Sequence, residues 1–194
     1  VGLAVARALA QTGREVLILE ADERFGAQTS ARNSEVIHAG LYYPPGSLKA
    51  PLCVQGKQLL YGNCAEAGIA HKRIGKLLVA CDANEVAALA SYAERAAANG
   101  VMLRPLDAAQ ISQLEPAVRA VAGLYSESTG ILDSHALMLT LLADAERAGA
   151  TLVTRAPVVA GTVDADGITL CIGGAEPYEL RCRQLVNSAG LGAQ

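Results

Sequence analysis

Residues 2–20 read G-L-A-V-A-R-A-L-A-Q-T-G-R-E-V-L-I-L-E, and the order of elements in this stretch decides the fold. Leu3, Ala6, Leu9 and Ala10 share one helical face, and Gly13 follows as a residue suited to the left-handed turn that ends a helix. The spacing predicts a short helix over 2–10. Residues 15–19 then form a near-continuous apolar run with β-branched members, which predicts a strand buried on both faces of a parallel sheet. Glu20 closes that strand. Helix, glycine turn, buried strand and terminal acid make the second half of a dinucleotide-binding βαβ unit, whose acid accepts hydrogen bonds from a ribose. The plainer alternative for Glu20 is an exposed acid at a strand end.

In the complete fingerprint Gly2 takes the place of the third glycine, so the first strand and the two earlier glycines fall before Val1. The stretch reads as cut. Gly2 and Ala6 form a pair of small residues that lets the helix approach the sheet closely.

The chain has 194 residues, 16 Lys plus Arg against 19 Asp plus Glu, a net charge of −3 and 52% apolar residues. This composition excludes disorder and collagen. Charged residues interrupt every apolar stretch well short of the roughly 18 residues a membrane span needs, so no integral membrane segment is expected. Scattered basic residues, 1 Phe, 6 Tyr and no Trp offer neither a phosphate-binding stripe nor a base-stacking surface, so nucleic acid is not an expected partner. Five cysteines with no C-x-x-C pair suggest neither a disulfide framework nor a zinc knuckle, and no His, Cys and Asp spacing suggests a metal. A reducing cytoplasm fits best, with the protein either free or peripheral at a membrane.

Residues 25–43 carry Arg32, His38, Tyr42 and Tyr43 within a run rich in Gly, Ser, Thr and Asn, which is the composition of a site more than of a linker. The segment T-S-A-R-N-S-E-V-I-H-A-G-L-Y-Y-P-P, residues 29–45, resembles FAD-dependent oxidoreductases of the D-amino-acid-oxidase superfamily, and is similar within it to the L-2-hydroxyglutarate dehydrogenase/oxidase branch. The resemblance implies that Thr29, Ser30 and Arg32 contact the flavin cofactor and that His38 lies near its ring. A histidine with a pKa of about 6.5 is suited to take a hydroxyl proton while hydride leaves the adjacent carbon. His38 as a structural residue hydrogen-bonded to backbone or cofactor is the other reading. Tyr42 and Tyr43 also read as a packed pair before Pro44 and Pro45.

Helices are predicted over 47–67, 84–99 and 106–114, and strands over 73–81, 101–104 and 123–126. This region resembles the substrate-binding domain of such oxidases. Arg73 and Lys76 border a predicted strand and are candidates for a substrate carboxylate, or else solvated cations. A helix over 134–148, capped by Asp133 or Ser134, and a strand from 151 follow. Asp164 to Gly167 (D-A-D-G) predicts a hairpin turn. A strand over 180–187 should lead into N-S-A-G, where Ser188, Ala189 and Gly190 match a cofactor-contacting pattern of the family, and Val158 is implied to meet the adenine through its backbone.

The expected fold is therefore α/β, α+β overall: an FAD-binding Rossmann-like parallel sheet, truncated at its first strand, with an inserted antiparallel-sheet substrate domain. The expected domains are 1–72 (first cofactor part), 73–132 (substrate) and 133–194 (second cofactor part). The resemblance implies a fragment of an enzyme that oxidises a small 2-hydroxy acid, L-2-hydroxyglutarate above others, with FAD as cofactor and quinone or oxygen as an open choice of electron acceptor. An oxidase of the glycine or sarcosine type and a non-catalytic nucleotide-binding module are the alternatives. Without a first strand and its phosphate-cradling turn, residues 1–194 alone are expected to be poorly soluble and colourless.

Overall fold

The computed structural model describes residues 1–193. In chain order its strands are β1 (Leu17–Leu19), β2 (Val36–Ile37), β3 (His71–Lys72), β4 (Lys76–Ala80), β5 (Arg104–Asp107), β6 (Ala122–Ser126), β7 (Gly130–Leu132), β8 (Thr151–Val153), β9 (Val158–Asp164), β10 (Gly167–Ile172) and β11 (Tyr178–Cys182). The helices are α1 (Gly2–Ala10), α2 (Lys49–Ala67), α3 (Val86–Ala98), α4 (Ala108–Leu114) and α5 (Ser134–Arg147). Two compact units divide the chain: Val1–Asn33 together with the chain from His135 onward, and Ser34–Ser134.

In the first unit β1 runs parallel to β8, with Leu17 opposite Thr151 and Leu19 opposite Val153. Ala6 and Ala10 of α1 and Ala145 of α5 are buried together with Ala150, and Val16 and Ile18 pack against them. Small side chains at these points let helix and strand backbones come close, as the alternating alanines of α1 require. Arg7 of α1 pairs with Asp144 of α5 at 3.4 Å. The strand at 15–19 is shorter than the sequence predicts, and Leu17 keeps 41% of its surface. Full burial needs strands on both sides, and among the described residues β8 alone pairs with β1.

The predicted D-A-D-G hairpin is present as β9 and β10, with the Asp166 N–H donating to Asp164 Oδ1 at 2.8 Å. β11 completes an antiparallel meander whose inner face buries Leu170 and Ile172 with Ala156. The strand predicted over 180–187 ends at Cys182. Past the last register pair of β10 and β11, Ile168 with Cys182, residues 184–187 find no ladder partner among the described residues and are exposed.

The second unit contains two antiparallel sheets, ordered β2-β7-β3 and β4-β6-β5. Residues 34–72, expected with the cofactor part, belong here instead, because β2 and β3 both pair with β7. The strand predicted over 73–81 is present as β4, starting only at Lys76, because Gly75 has a φ of 74° that no regular strand accommodates; β3, just before the predicted span, belongs to the other sheet. The strand predicted at 101–104 lies further on as β5, an edge strand, where Pro105 withdraws no ladder hydrogen bond the sheet needs. Helix α4 begins after Asp107, whose carboxylate accepts from the Gln110 N–H while the Gln110 side chain accepts from the Asp107 N–H. Helix α3 packs on β4 and β6 through Leu89, Ala80 and Leu124.

The fold is thus mixed helix and strand, with a parallel strand pair and separate antiparallel sheets. No helix among the described residues is long and apolar enough to cross a membrane. All five cysteines are unpaired.

Candidate active site

The first unit gathers small residues from three parts of the chain. A β-carbon on Gly2 would lie 3.3 Å from Cβ of Ser188, so the start of α1 and the N-S-A-G segment meet at a distance that glycine makes easy. Gly190, at φ 60°, similarly approaches Thr29, whose Oγ1 would be 3.4 Å from a β-carbon there. Helix α1 starts with no side-chain cap and no acid in its first turn, so no side chain competes for its leading N–H groups, which suit an anion.

Glu20 follows β1, half-buried, with its N–H donating to Val153 O at 2.9 Å. Its Oε1 accepts from the Asp22 N–H at 3.0 Å, which orients the carboxylate while leaving acceptor capacity on the other oxygen. Thr29, Ser30 and Arg32 lie in a 3-10 turn, Thr29–Arg32, and are exposed. Val158 opens β9 opposite Ile172 and is exposed, and among the described residues no hydrogen bond joins it to the other candidates. Gly2, Ser188, Thr29 and Gly190 are therefore brought together in two close approaches. A tight backbone passage, an uncapped helix start and an oriented strand-end acid fit a dinucleotide cofactor.

The second unit holds His38, Arg73 and Lys76. His38 follows β2 and is exposed at its edge, with its carbonyl accepting from Cys53 Sγ at 3.5 Å. Surrounding atoms that strip water from part of the ring lower its pKa below 6.5, and the Lys76 cation lowers it further. Lys76 opens β4 with its Nζ 5.4 Å from the centre of the Tyr42 ring. The Arg73 guanidinium lies 4.3 Å over the ring of Tyr61. The turn between these cations is fixed by the Gly75 N–H, which donates to Thr129 O at 2.9 Å, and by the Tyr125 hydroxyl, which donates to Ile74 O at 3.3 Å. Tyr42 and Tyr43 do not act as a mutual pair: Tyr42 meets Tyr92 edge-on at 5.9 Å, and Tyr43 carries Lys49 at 5.6 Å.

Lys57, which the sequence presents only as part of the polar face of a helix, belongs to this cluster. Its Nζ donates to Ser128 Oγ at 2.9 Å and reaches Ala39 O at 3.5 Å. Burial pulls its pKa below the ordinary lysine value, against the opposing effect of Cys53 and with a smaller contribution from Arg73. Among the described residues, Lys57, Arg73 and Lys76 have no carboxylate within 4.0 Å. Lys57 spends its protons on Ala39 O and Ser128 Oγ, whereas half-buried Lys76 and exposed Arg73, without counter-charges, favour an anionic ligand. The one signal in the sequence was the spacing of Cys53 and Lys57, four residues apart and so on one face of α2.

The chain belongs to the FAD dependent oxidoreductase family, whose family model matches residues 1–194. It is 42% identical over 223 positions to L-2-hydroxyglutarate dehydrogenase, mitochondrial, of Arabidopsis thaliana, covering 100% of this chain and 46% of that protein. The Homo sapiens protein of the same name is 35% identical over 203 positions, covering 98% of this chain and 44% of its own length. This chain spans about half the length of the curated relatives it matches.

Among solved structures, L-α-glycerophosphate oxidase from Mycoplasma pneumoniae, with FAD bound, is similar with a TM-score of 0.82 and 27% identity, over 89% of this chain and 46% of that one. Glycine oxidase from Geobacillus kaustophilus has a TM-score of 0.82 at 21% identity, over 94% of this chain and 50% of its own, which is a likeness of fold.

Proposed function

We propose that the holoenzyme oxidises a small 2-hydroxy acid, L-2-hydroxyglutarate, to its 2-oxo acid. The observation that carries this reading is His38 near Lys76, a cation that has no carboxylate within 4.0 Å among the described residues. A neutral His38 imidazole takes the proton of the substrate hydroxyl as the C2–H bond breaks and the C2–O bond becomes a carbonyl. FAD, when bound, supplies the acceptor for the hydride. Arg73 and Lys76 hold carboxylate, Arg73 by paired N–H donors and Lys76 as a point charge. The names of the relatives support the choice of hydroxy acid.

For the cofactor, the reading assigns the pyrophosphate to the start of α1 at Gly2, with Ser188, Ala189 and Gly190 alongside. It assigns the adenosine ribose to Glu20 and the adenine to the backbone of Val158. Thr29, Ser30 and Arg32 take the remaining polar groups. A cytoplasmic site of action, free or peripheral at a membrane, goes with five unpaired cysteines, although the relatives carry mitochondrial names.

Anaerobic mixing of the flavin-loaded holoenzyme with L-2-hydroxyglutarate tests the reading. Rapid bleaching of the flavin absorbance by this acid, and not by glycine or sarcosine, is the expected result. Bleaching by the amino acids alone would replace the hydroxy-acid reading with that of an amine oxidase.

A further inference from the structure

Two successive turns of α2 grasp the main chain that carries His38. Cys53 Sγ meets the carbonyl of His38 itself, at 3.5 Å. One turn later the Lys57 ammonium meets the next carbonyl, that of Ala39, at 3.5 Å, and donates to Ser128 Oγ at 2.9 Å. Ser128 is in turn held through its own carbonyl, which accepts from the Tyr61 hydroxyl at 3.3 Å. Tyr61 can reach it because Gly130 has no side chain: a β-carbon there would collide with the Tyr61 hydroxyl and would lie 2.5 Å from Lys72 O. Lys57 therefore joins three pieces of one unit, namely α2, the segment after β2 and the turn between β6 and β7.

We propose that Lys57 is a positioning residue for His38: its ammonium, shared between Ala39 O and Ser128 Oγ, fixes the segment on which the imidazole is presented to the substrate hydroxyl. The proposal rests on the reading of His38 as the base. A lysine whose protons go to a carbonyl and a hydroxyl, with no carboxylate within 4.0 Å among the described residues, forms charge-assisted bonds that are stronger than neutral ones. Its flexible stem is held at both ends of the gap it spans. A base displaced by about 1 Å costs on the order of 100-fold in rate, so loosening this anchor affects chemistry more than binding.

The test measures anaerobic flavin reduction in the full-length, flavin-loaded holoenzyme for Lys57→Met, Lys57→Arg, His38→Ala and the double variant of His38→Ala with Lys57→Met. Lys57→Met is expected to slow flavin reduction about 10-fold while the substrate Kd changes less than about 3-fold, because a misplaced base acts on the rate. Lys57→Arg, which keeps the charge and has N–H groups for both acceptors, recovers most of the rate. In the His38→Ala background Lys57→Met has no further effect, since a residue that acts through His38 has nothing left to position.

An unchanged rate in Lys57→Met, an equal slowing with and without His38, or a change confined to Kd each overturns the proposal. Normal flavin reduction by His38→Ala alone removes the base and the positioning role together, so the two failures are told apart. Should Lys57→Met not fold, Ser128→Ala gives the same reading, with about a 3-fold slowing expected and an unchanged rate counting against the anchor.

Discussion

Gly75 and Tyr125 compete for the same space: a β-carbon on Gly75 would collide with the phenol of Tyr125, whose hydroxyl donates to Ile74 O. The turn that separates Arg73 from Lys76 thus depends on a residue without a side chain. Gly75 also holds φ at 74°, where any other residue is strained. Gly75→Ala is expected to lower stability by about 2 to 4 kcal/mol, combining backbone strain with overpacking. Thermal denaturation and substrate KM measured together check it. A variant with an unchanged melting temperature would show that Tyr125 moves aside at no cost.

Glu20 predicts a cofactor effect. Its carboxylate is oriented by the Asp22 N–H, and hydrogen bonds to a charged group contribute about 1.5 to 3 kcal/mol. Glu20→Ala in the holoenzyme should weaken FAD retention roughly 10- to 150-fold, measured by dialysis and flavin fluorescence. FAD affinity equal to that of the parent would remove Glu20 from the ribose site.

For His38, truncation to Ala should slow flavin reduction about 100-fold or more while FAD remains bound. Stopped-flow absorbance of the flavin reads both properties in one experiment. The structural reading of His38 predicts loss of FAD or of stability with an unaffected rate per bound flavin.

The pH dependence has a definite sign. Burial first, and Lys76 second, lower the His38 pKa below 6.5, so the imidazole stays neutral to a lower pH than a free histidine would. A base must be neutral, so the acid limb of the rate profile should lie below 6.5 in the parent and move upward in Lys76→Met. The associated stability is present above 6.5 and is lost as pH falls from there to the lowered value in the folded chain. A limb that stays in place in Lys76→Met would mean that another group controls it.

Much of this architecture was legible because local chemistry and global fold agree. Gly68 and Gly13 stop helices where backbone φ is positive, and the D-A-D-G turn folds as its residues demand. Domain limits were not legible, since whether residues 34–72 join one unit or the other depends on β7, far along the chain, pairing with both β2 and β3. The strand after 180 failed for the same reason: its apolar run says nothing about which partner remains beyond Cys182. In the site, Arg73 and Lys76 stood out as charges beside a predicted strand. Lys57 did not, because its two acceptors, Ala39 and Ser128, come from segments that only tertiary structure brings to α2.

The parallel pairing of β1 with β8 also dictates an order of assembly. Leu19 and Val153 become neighbours only after roughly 130 intervening residues are drawn into a loop, whose closure costs on the order of 4 kcal/mol in chain entropy before any contact repays it. The unit formed by Ser34–Ser134 is continuous and built on shorter loops, so its antiparallel sheets can form while the chain's two outer parts are still apart. Pulse-labelled hydrogen exchange during refolding should then protect the amides of β4 and β6 before those of β1 and β8. The residues proposed for the cofactor, split between the early and late parts of the sequence, would on that order be the last to reach their places, and nucleotide capture that needs them together would follow the slowest step of folding.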